Sequence, residues 1–268
     1  MLRDWLIGKG WLQSLDGAIP SPVYVAPRAP QQPARPPAYL PAADVDRLWR
    51  ASWQLTDPRC QAVPFLSERR FLPHAQVIAA LDLARIAPTH IPGGWSESEA
   101  WPSWWSAGRA PTWRLVVRGW GPGGAVGFHG RAVVPTPVID GKALPKALWA
   151  RGYDSSGLLF WNRHPVAEAE AIFIAEGLTD WLTLSIWAAQ RPVAVFGGTS
   201  GSWRGLIPVG KRAKPGADIV VAVDADAKGN EYAKAILAAF PGRRVFRTKP
   251  VSLGLSESDL HEHAEAAK

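Results

Sequence analysis

From Val166 onward, short apolar runs alternate with stretches of helical period. Runs at 171–175, 193–196, 218–223 and 244–247 predict strands, and the patterns over 177–190 and 229–240 predict helices. Residues 200–216 read as a loop or a short helix. Strand–helix alternation predicts a parallel sheet flanked by helices. The half ahead of Pro165 lacks that rhythm. Asp44 is a candidate cap for a helix reaching about Leu55, and Phe65–Phe71 reads as a second helix that stops at Pro73. A third, from His74 to Leu83, places Val77, Ile78, Leu81 and Ala84 at helical spacing. Trp113–Arg118 reads as a strand, Gly121–Gly124 as a turn, and 125–134 as the partner strand. Residues 1–18 predict a short helix. Residues 19–42 carry eight prolines and predict an extended arm. The expected organisation is an N-terminal segment and arm (1–42), a mixed α+β subdomain (43–165) and an α/β domain (166–268).

Two of the predicted strands end abruptly in carboxylates. One runs into Glu176-Gly177, the other into Asp224-Ala-Asp226. In an open parallel sheet the chemistry sits at the carboxyl ends of the strands. Side by side, these two would gather Glu176, Asp224 and Asp226 at one edge. Three such groups repel one another unless a cation lies among them, and hard oxygen ligands suit Mg²⁺ or Mn²⁺. Helix capping by Asp224 and Asp226 explains the pair equally well on its own. Asp180, four residues after Glu176, shares its helix face. Lys228-Gly229 opens the helix after Asp226, where backbone N–H groups attract anions. Gly197-Gly198-Thr199 permits close backbone approach to a phosphate, or simply forms a turn.

Charge changes the picture. The formal net charge is +7. Residues 1–165 hold 18 Lys/Arg against 11 Asp/Glu, whereas 166–268 hold 12 of each. A basic half beside an acidic edge fits a polyanion guided toward a cation; an Arg-rich composition throughout explains the excess as well. Twelve of the fifteen tryptophans precede residue 165. Trp95, Trp101, Trp104 and Trp105 lie close together, suited to base stacking or to packing. The single cysteine, Cys60, excludes an internal disulfide framework and a cysteine-based zinc ribbon. It points to a reducing compartment, the cytoplasm. No apolar run is long enough to span a bilayer, and the N-terminus lacks a signal-peptide core.

The Glu176-Gly177 and Asp224-Ala-Asp226 pair resembles the Toprim domain shared by bacterial DnaG-type primases, topoisomerases and some nucleases. The resemblance extends upstream. Leu48-Trp49 through Phe65-Leu66-Ser-Glu-Arg69-Arg70 is similar to the segment ahead of the catalytic core in phage and plasmid primases. Gly127-Phe-His-Gly-Arg131 is similar to a Gly-Phe-Gly-Gly-Arg segment of that core, and Pro145-Lys146 to its Pro-Lys-Tyr segment. The resemblance implies a Toprim-like sheet behind a basic primase subdomain. It gives Glu176 a part in acid/base chemistry or metal ligation, and Asp224 and Asp226 the metal, with Asp180 completing the site. It also implies that Arg131 and Lys146 lie at nucleotide or template phosphates, with Lys228 assisting. Ser256-Glu257-Ser258-Asp259 falls where primases carry a late Asp-x-Asp, which makes Asp259 a further metal candidate and Glu257 a weaker one; a helix cap is the alternative there.

The implied activity is primer synthesis on single-stranded DNA from nucleoside triphosphates by two-metal-ion chemistry. The chain departs from the family in having no cysteines for a zinc ribbon. It also ends soon after its last predicted strand, where the family has a helical subdomain and a helicase-binding region. Three readings fit these departures: a catalytic core that works with other proteins, such as a replicative helicase or a separate zinc-ribbon protein, a fragment of a longer chain, or a diverged relative with another job. Two alternatives remain: a Toprim metal-dependent nuclease, and a non-catalytic DNA-binding accessory protein. A topoisomerase needs a nucleophilic tyrosine, and none of Tyr24, Tyr39, Tyr153 and Tyr232 stands in such a setting.

Overall fold

A computed structural model describes residues 39–69, 71–88, 112–136, 138–150, 153–199, 202–224 and 226–247. The chain divides into two compact units, Met1–Arg35 and Pro36–Lys268. The first unit, the proline-rich arm up to residue 38, the Trp95–Trp105 cluster, Arg70, Glu257 and Asp259 lie outside the described residues.

The second unit contains two five-stranded sheets and a short hairpin. The first sheet uses β1 (Trp53–Gln54), β2 (Arg85–Ile86), β3 (Leu115–Gly121), β4 (Gly124–Arg131) and β7 (Ala147–Trp149), antiparallel in that order. β5 (Val138–Ile139) and β6 (Lys142–Ala143) pair only with each other. Helix α1 (Ala42–Ala51) buries Val45, Leu48 and Trp49 toward this sheet, the last with its ring edge-on to Phe128. α1 starts after Pro41, and Asp44 sits in its first turn instead of capping it. Pro41 is itself the N-cap, and its carbonyl accepts from the Asp44 and Val45 amides. The next two predicted helices are shorter than expected: α2 is Pro64–Glu68 and α3 is Ala75–Ala80. A 3₁₀ turn at Leu72–His74, set by Pro73, separates them.

Part of the basic excess is structural. Asp82, in a left-handed conformation at φ 53°, accepts from the Trp49 indole, Arg85 and Arg118, with Arg163 3.7 Å away. One carboxylate thus organises three arginines.

The second sheet contains β8 (Phe160–Trp161), β9 (Ala171–Glu176), β10 (Val193–Gly198), β11 (Asp218–Ala222) and β12 (Val245–Arg247), in the order β12-β11-β9-β10-β8. Four strands are parallel, as expected; β8 adds an antiparallel edge that makes the sheet mixed. α4 (Gly177–Trp187) covers one face with Leu178, Trp181 and Leu182. α5 (Leu206–Arg212) and α6 (Ala227–Ala239) cover the other with Leu206, Val209, Ala233 and Ile236. Both faces of β9 are therefore buried, which is why Ile172–Ala175 reads as an unbroken apolar run.

The two sheets share a core. Leu115 and Val117 of β3 belong to the same cluster as Phe160, Trp181 and Val195. Trp149 lies over Gly119 and Gly127, where a methyl on Gly119 would come within 2.5 Å of its ring. The Trp149 ring stacks on Phe160 at 5.3 Å, and its indole donates to Thr199 at 2.9 Å.

His129 is enclosed by Trp149 and Phe160, and its Nδ1 has no hydrogen-bond partner among the described residues. Burial, aided by the charge of Arg131, pushes its pKa down to about 3. The unfolded imidazole titrates near 6.5. A depressed histidine contributes its full stability above the unfolded value and loses it as the pH falls toward the folded one. We expect stability to drop between about pH 6.5 and pH 3 by up to about 1.4 kcal/mol per pH unit from this group. His129→Leu should flatten that slope in denaturant melts; an unchanged slope would assign the acid sensitivity elsewhere.

Candidate active site

β9 has β10 on one side and β11 on the other. The chain leaves β9 toward β10, then crosses back to β11, so the carboxyl edge between β9 and β11 is the topological switch point of the sheet. Glu176 ends β9 there, level with Gly198 on β10. Ala175 pairs with Ala222, which sets Asp224 two residues beyond the end of β11 at the same edge. The Asp224 amide donates to Glu176 Oε2 at 3.3 Å. Gly177 follows at φ 81°, a conformation that lets the chain turn from strand into helix within one residue.

The Glu176 carboxyl is raised above its ordinary pKa. Burial is the main cause, and the negative charges of Asp224 and Asp226 add to it; the Asp224 amide and Lys228 oppose it. The three carboxylates therefore feel one another at this edge. They do not close around a common point: among the described residues no three carboxylate, imidazole or thiol groups are placed to hold a metal ion. The expected convergence is incomplete for a local reason. Asp226 is the N-cap of α6, its Oδ1 accepting from the Gly229 amide at 2.7 Å.

Two residues fix the Asp224 backbone. A methyl on Gly229 would lie 1.9 Å from the Asp224 carbonyl oxygen, so the glycine lets α6 fold directly against the strand end. Arg247, at the end of β12, donates to the same carbonyl at 2.8 Å and also to Asn230 Oδ1. Sequence reasoning missed Arg247. It stands at the carboxyl end of a parallel strand beside β11, the position that had singled out Glu176.

Gly229→Ala is expected to cost about 1–3 kcal/mol, since the obstructing atoms are backbone and cannot rotate away. That loss exceeds the up to about 1 kcal/mol that alanine gains over glycine in a helix. Gly123→Ala is the control, since its nearest neighbour would be 3.7 Å away. Equal unfolding midpoints for the two variants would show that α6 is not pinned here.

The other candidates take varied positions. Asp180 is half-buried in the first turn of α4. Lys228 pairs with Glu231 at 2.8 Å and lies over the Tyr232 ring, so its ammonium is already engaged on α6. Arg131 ends β4 opposite Ala147, and Lys146 is the exposed residue just before β7, so the two cations are neighbours on one sheet. Trp149, three residues beyond Lys146, connects that sheet through Thr199 to the strand end beside Glu176. Gly197 and Gly198 have a packing role. A methyl on Gly197 would meet Trp181 at 2.5 Å and one on Gly198 would meet Trp203 at 2.8 Å, so both are small to admit tryptophans. The Thr199 amide donates to Ser202 Oγ.

No protein-family model matches the sequence, and no curated protein matches it. Solved structures do. The crystal structure of the Aquifex aeolicus primase zinc-binding and RNA polymerase domains aligns with a TM-score of 0.51 at 20% identity, covering 83% of this chain and 58% of that one. The primase fragment of the bacteriophage T7 primase-helicase aligns with a TM-score of 0.40 at 16% identity, over 65% of this chain and 60% of that one. The chain thus spans well under two thirds of the Aquifex structure's length. No helix among the described residues is long and apolar enough to cross a membrane. The likeness is one of architecture, and the protein has a mixed α/β, primase-like fold.

Proposed function

We propose that this chain is the catalytic core of a Toprim primase, a nucleotidyltransferase that builds primers on single-stranded DNA from nucleoside triphosphates. The observation that carries the reading is the joining of Glu176 and Asp224 by a hydrogen bond at the switch point of a parallel sheet. The donor chemistry of Glu176, Asp224 and Asp226 fits Mg²⁺ or Mn²⁺, with Asp180 and Asp259 as further candidate ligands. Such an ion, when bound, would offset the charge of the triphosphate. In the proposed step the primer 3′-oxygen bonds to the α-phosphorus, the bond to the bridging oxygen breaks, and pyrophosphate leaves. The hydroxyl proton passes to Glu176, whose raised pKa makes it a better base than an ordinary carboxylate. Arg131 and Lys146 hold phosphates from the basic subdomain 43–165, and Lys228 assists after leaving Glu231. A replicative helicase or a separate zinc-ribbon protein is the proposed partner.

The test is incubation with single-stranded DNA, Mg²⁺ or Mn²⁺ and labelled nucleotides, with products resolved on a gel. Short labelled products support the reading. Cleavage of labelled DNA without nucleotides would make the chain a metal-dependent nuclease, and binding without either reaction a replication accessory protein.

A further inference from the structure

A groove of about 780 Å³ opens between the β3–β4 turn, the segment leading into β8, and α5. Such a volume is in the range of about 300–1,000 Å³ that accepts small ligands or part of a polymer. Its aromatic lining is Trp120, Trp161, Phe196 and Tyr39, and its charged lining is Arg204 and Arg212; no carboxylate lines it. Trp161 stacks on Phe196 with the planes 7° apart and meets Trp120 edge to face at 5.5 Å. The Trp161 indole also donates to the His164 carbonyl at 3.1 Å, which fixes the ring's orientation. Both tryptophans stay partly exposed, and both arginines are exposed. The sequence reading had assigned stacking and phosphate contacts to other residues.

We infer that this groove binds a single nucleic-acid strand, with unpaired bases stacked on Trp120 and Trp161 and phosphates held by Arg204 and Arg212. This deepens the primase reading and rests on it for the identity of the strand as template. Pre-oriented aromatic faces beside cations are what sequence-tolerant strand binding requires. Arg204 lies in the 3₁₀ turn just before α5 and Arg212 is the last residue of that helix, so the two cations stand at its opposite ends. Cations at two places along that wall can take successive phosphates of one strand. Asp154, held ionised chiefly by its hydrogen bonds from Ser156, lies within electrostatic reach of Arg204 and offsets part of its charge, and Arg212 keeps the balance of the rim positive. Aromatic grooves also accept proline-rich peptides, but those offer the arginines no negative charge.

The groove also points toward the carboxylate edge. The 3₁₀ turn Ser202–Gly205 supplies Arg204 and Gly205 to its wall. The same turn lays Trp203 against Gly198, the register partner of Glu176. A strand in the groove is thus led to the turn that backs the reacting edge.

The experiment uses the full chain and a short fluorescent oligothymidylate followed by anisotropy. Arg204→Glu with Arg212→Glu should weaken binding about tenfold or more, and Lys211→Glu with Lys214→Glu, which lie outside the groove lining, far less. An abasic strand should bind the unaltered protein markedly more weakly than oligothymidylate. A 5-iodouridine strand should photocrosslink to a peptide containing Trp120 or Trp161. Equal losses in the two double variants, equal binding of the abasic strand, crosslinks confined to other peptides, or displacement of the strand by a proline-rich peptide would each overturn the inference. Nucleotide incorporation, measured alongside, separates the two claims. Incorporation with a groove variant that binds normally removes the groove and keeps the primase reading. Loss of binding in that variant without incorporation by the unaltered protein does the reverse.

Discussion

Asp224→Asn is expected to abolish nucleotide incorporation while leaving the protein as stable as before or more so. Most active-site losses that accompany misfolding lower stability, so the two readouts moving apart is the informative result. The reason is the local charge. Burial first, and the negative charges of Asp224 and Asp226 after it, push the Glu176 carboxyl upward, so these side chains repel one another at the edge. A carboxylate with a raised folded pKa contributes its stability below the unfolded pKa and loses it as the pH rises through the folded value. At neutral pH the edge is therefore under electrostatic strain, and removing one charge relieves it. The asparagine keeps the contacts that hold the backbone: the amide to Glu176 and the carbonyl to Arg247 are main-chain groups. The substitution also takes a hard anionic ligand from the edge. The rise in melting temperature produced by added Mg²⁺ or Mn²⁺ in the unaltered protein should shrink together with incorporation. Full incorporation by Asp224→Asn, or an undiminished metal-dependent shift, would remove Asp224 from the site. Asp226→Asn makes a useful pair, because asparagine caps a helix about as well as aspartate and the α6 N-terminus should survive.

The parts of the fold that were legible are those in which one force acts over several consecutive residues. β9 and β10 have both faces buried, so Ile172–Ala175 and Val193–Phe196 are apolar throughout, and the Glu176 that ends β9 marks where burial stops; β11 alternates buried Ile219 and Val221 with half-buried Val220. α4 and α6 are long enough to show their period. The strands that escaped notice are two or three residues long: Trp53–Gln54, Arg85–Ile86, Val138–Ile139, Lys142–Ala143, Ala147–Trp149 and Phe160–Trp161. Apart from the β5–β6 hairpin, they are strands because a neighbour distant in sequence offers hydrogen bonds, as β10 does for β8 and β2 does for β1, and nothing in two residues encodes that. The site divides in the same way. Glu176 and Asp224 were readable as strand-end carboxylates. The second role of Asp226 depends on where α6 begins, and the role of Arg247 depends on a carbonyl 23 residues earlier. Gly197 and Gly198 looked like an opening for phosphate because a glycine pair shows only that something must come close. The structure shows that the close partners are Trp181 and Trp203.

Glu176→Gln separates proton transfer from ligation. The amide has nearly the shape of the carboxylate and can still accept the Asp224 N–H at the position of Oε2, so the edge should keep its geometry. It cannot take up a proton. If Glu176 is the base, incorporation should fall by roughly 10²–10⁴-fold with the metal affinity largely kept. If it is chiefly a ligand, affinity and rate should fall together, and excess Mn²⁺ should restore part of the rate. The acid side of the pH–rate profile adds an independent readout. A base must be ionised to act, so incorporation should decline as the pH falls through the raised Glu176 value. That decline should vanish from the residual rate of Glu176→Gln. Shielding one neighbour at a time sharpens the assignment: Asp226→Asn removes a negative charge that raises Glu176 and should move the same decline to lower pH. Calorimetric titration with Mg²⁺ and Mn²⁺ beside the incorporation assay distinguishes the two roles. Normal incorporation by Glu176→Gln would take this residue out of the mechanism and, with it, the observation on which the primase reading chiefly stands.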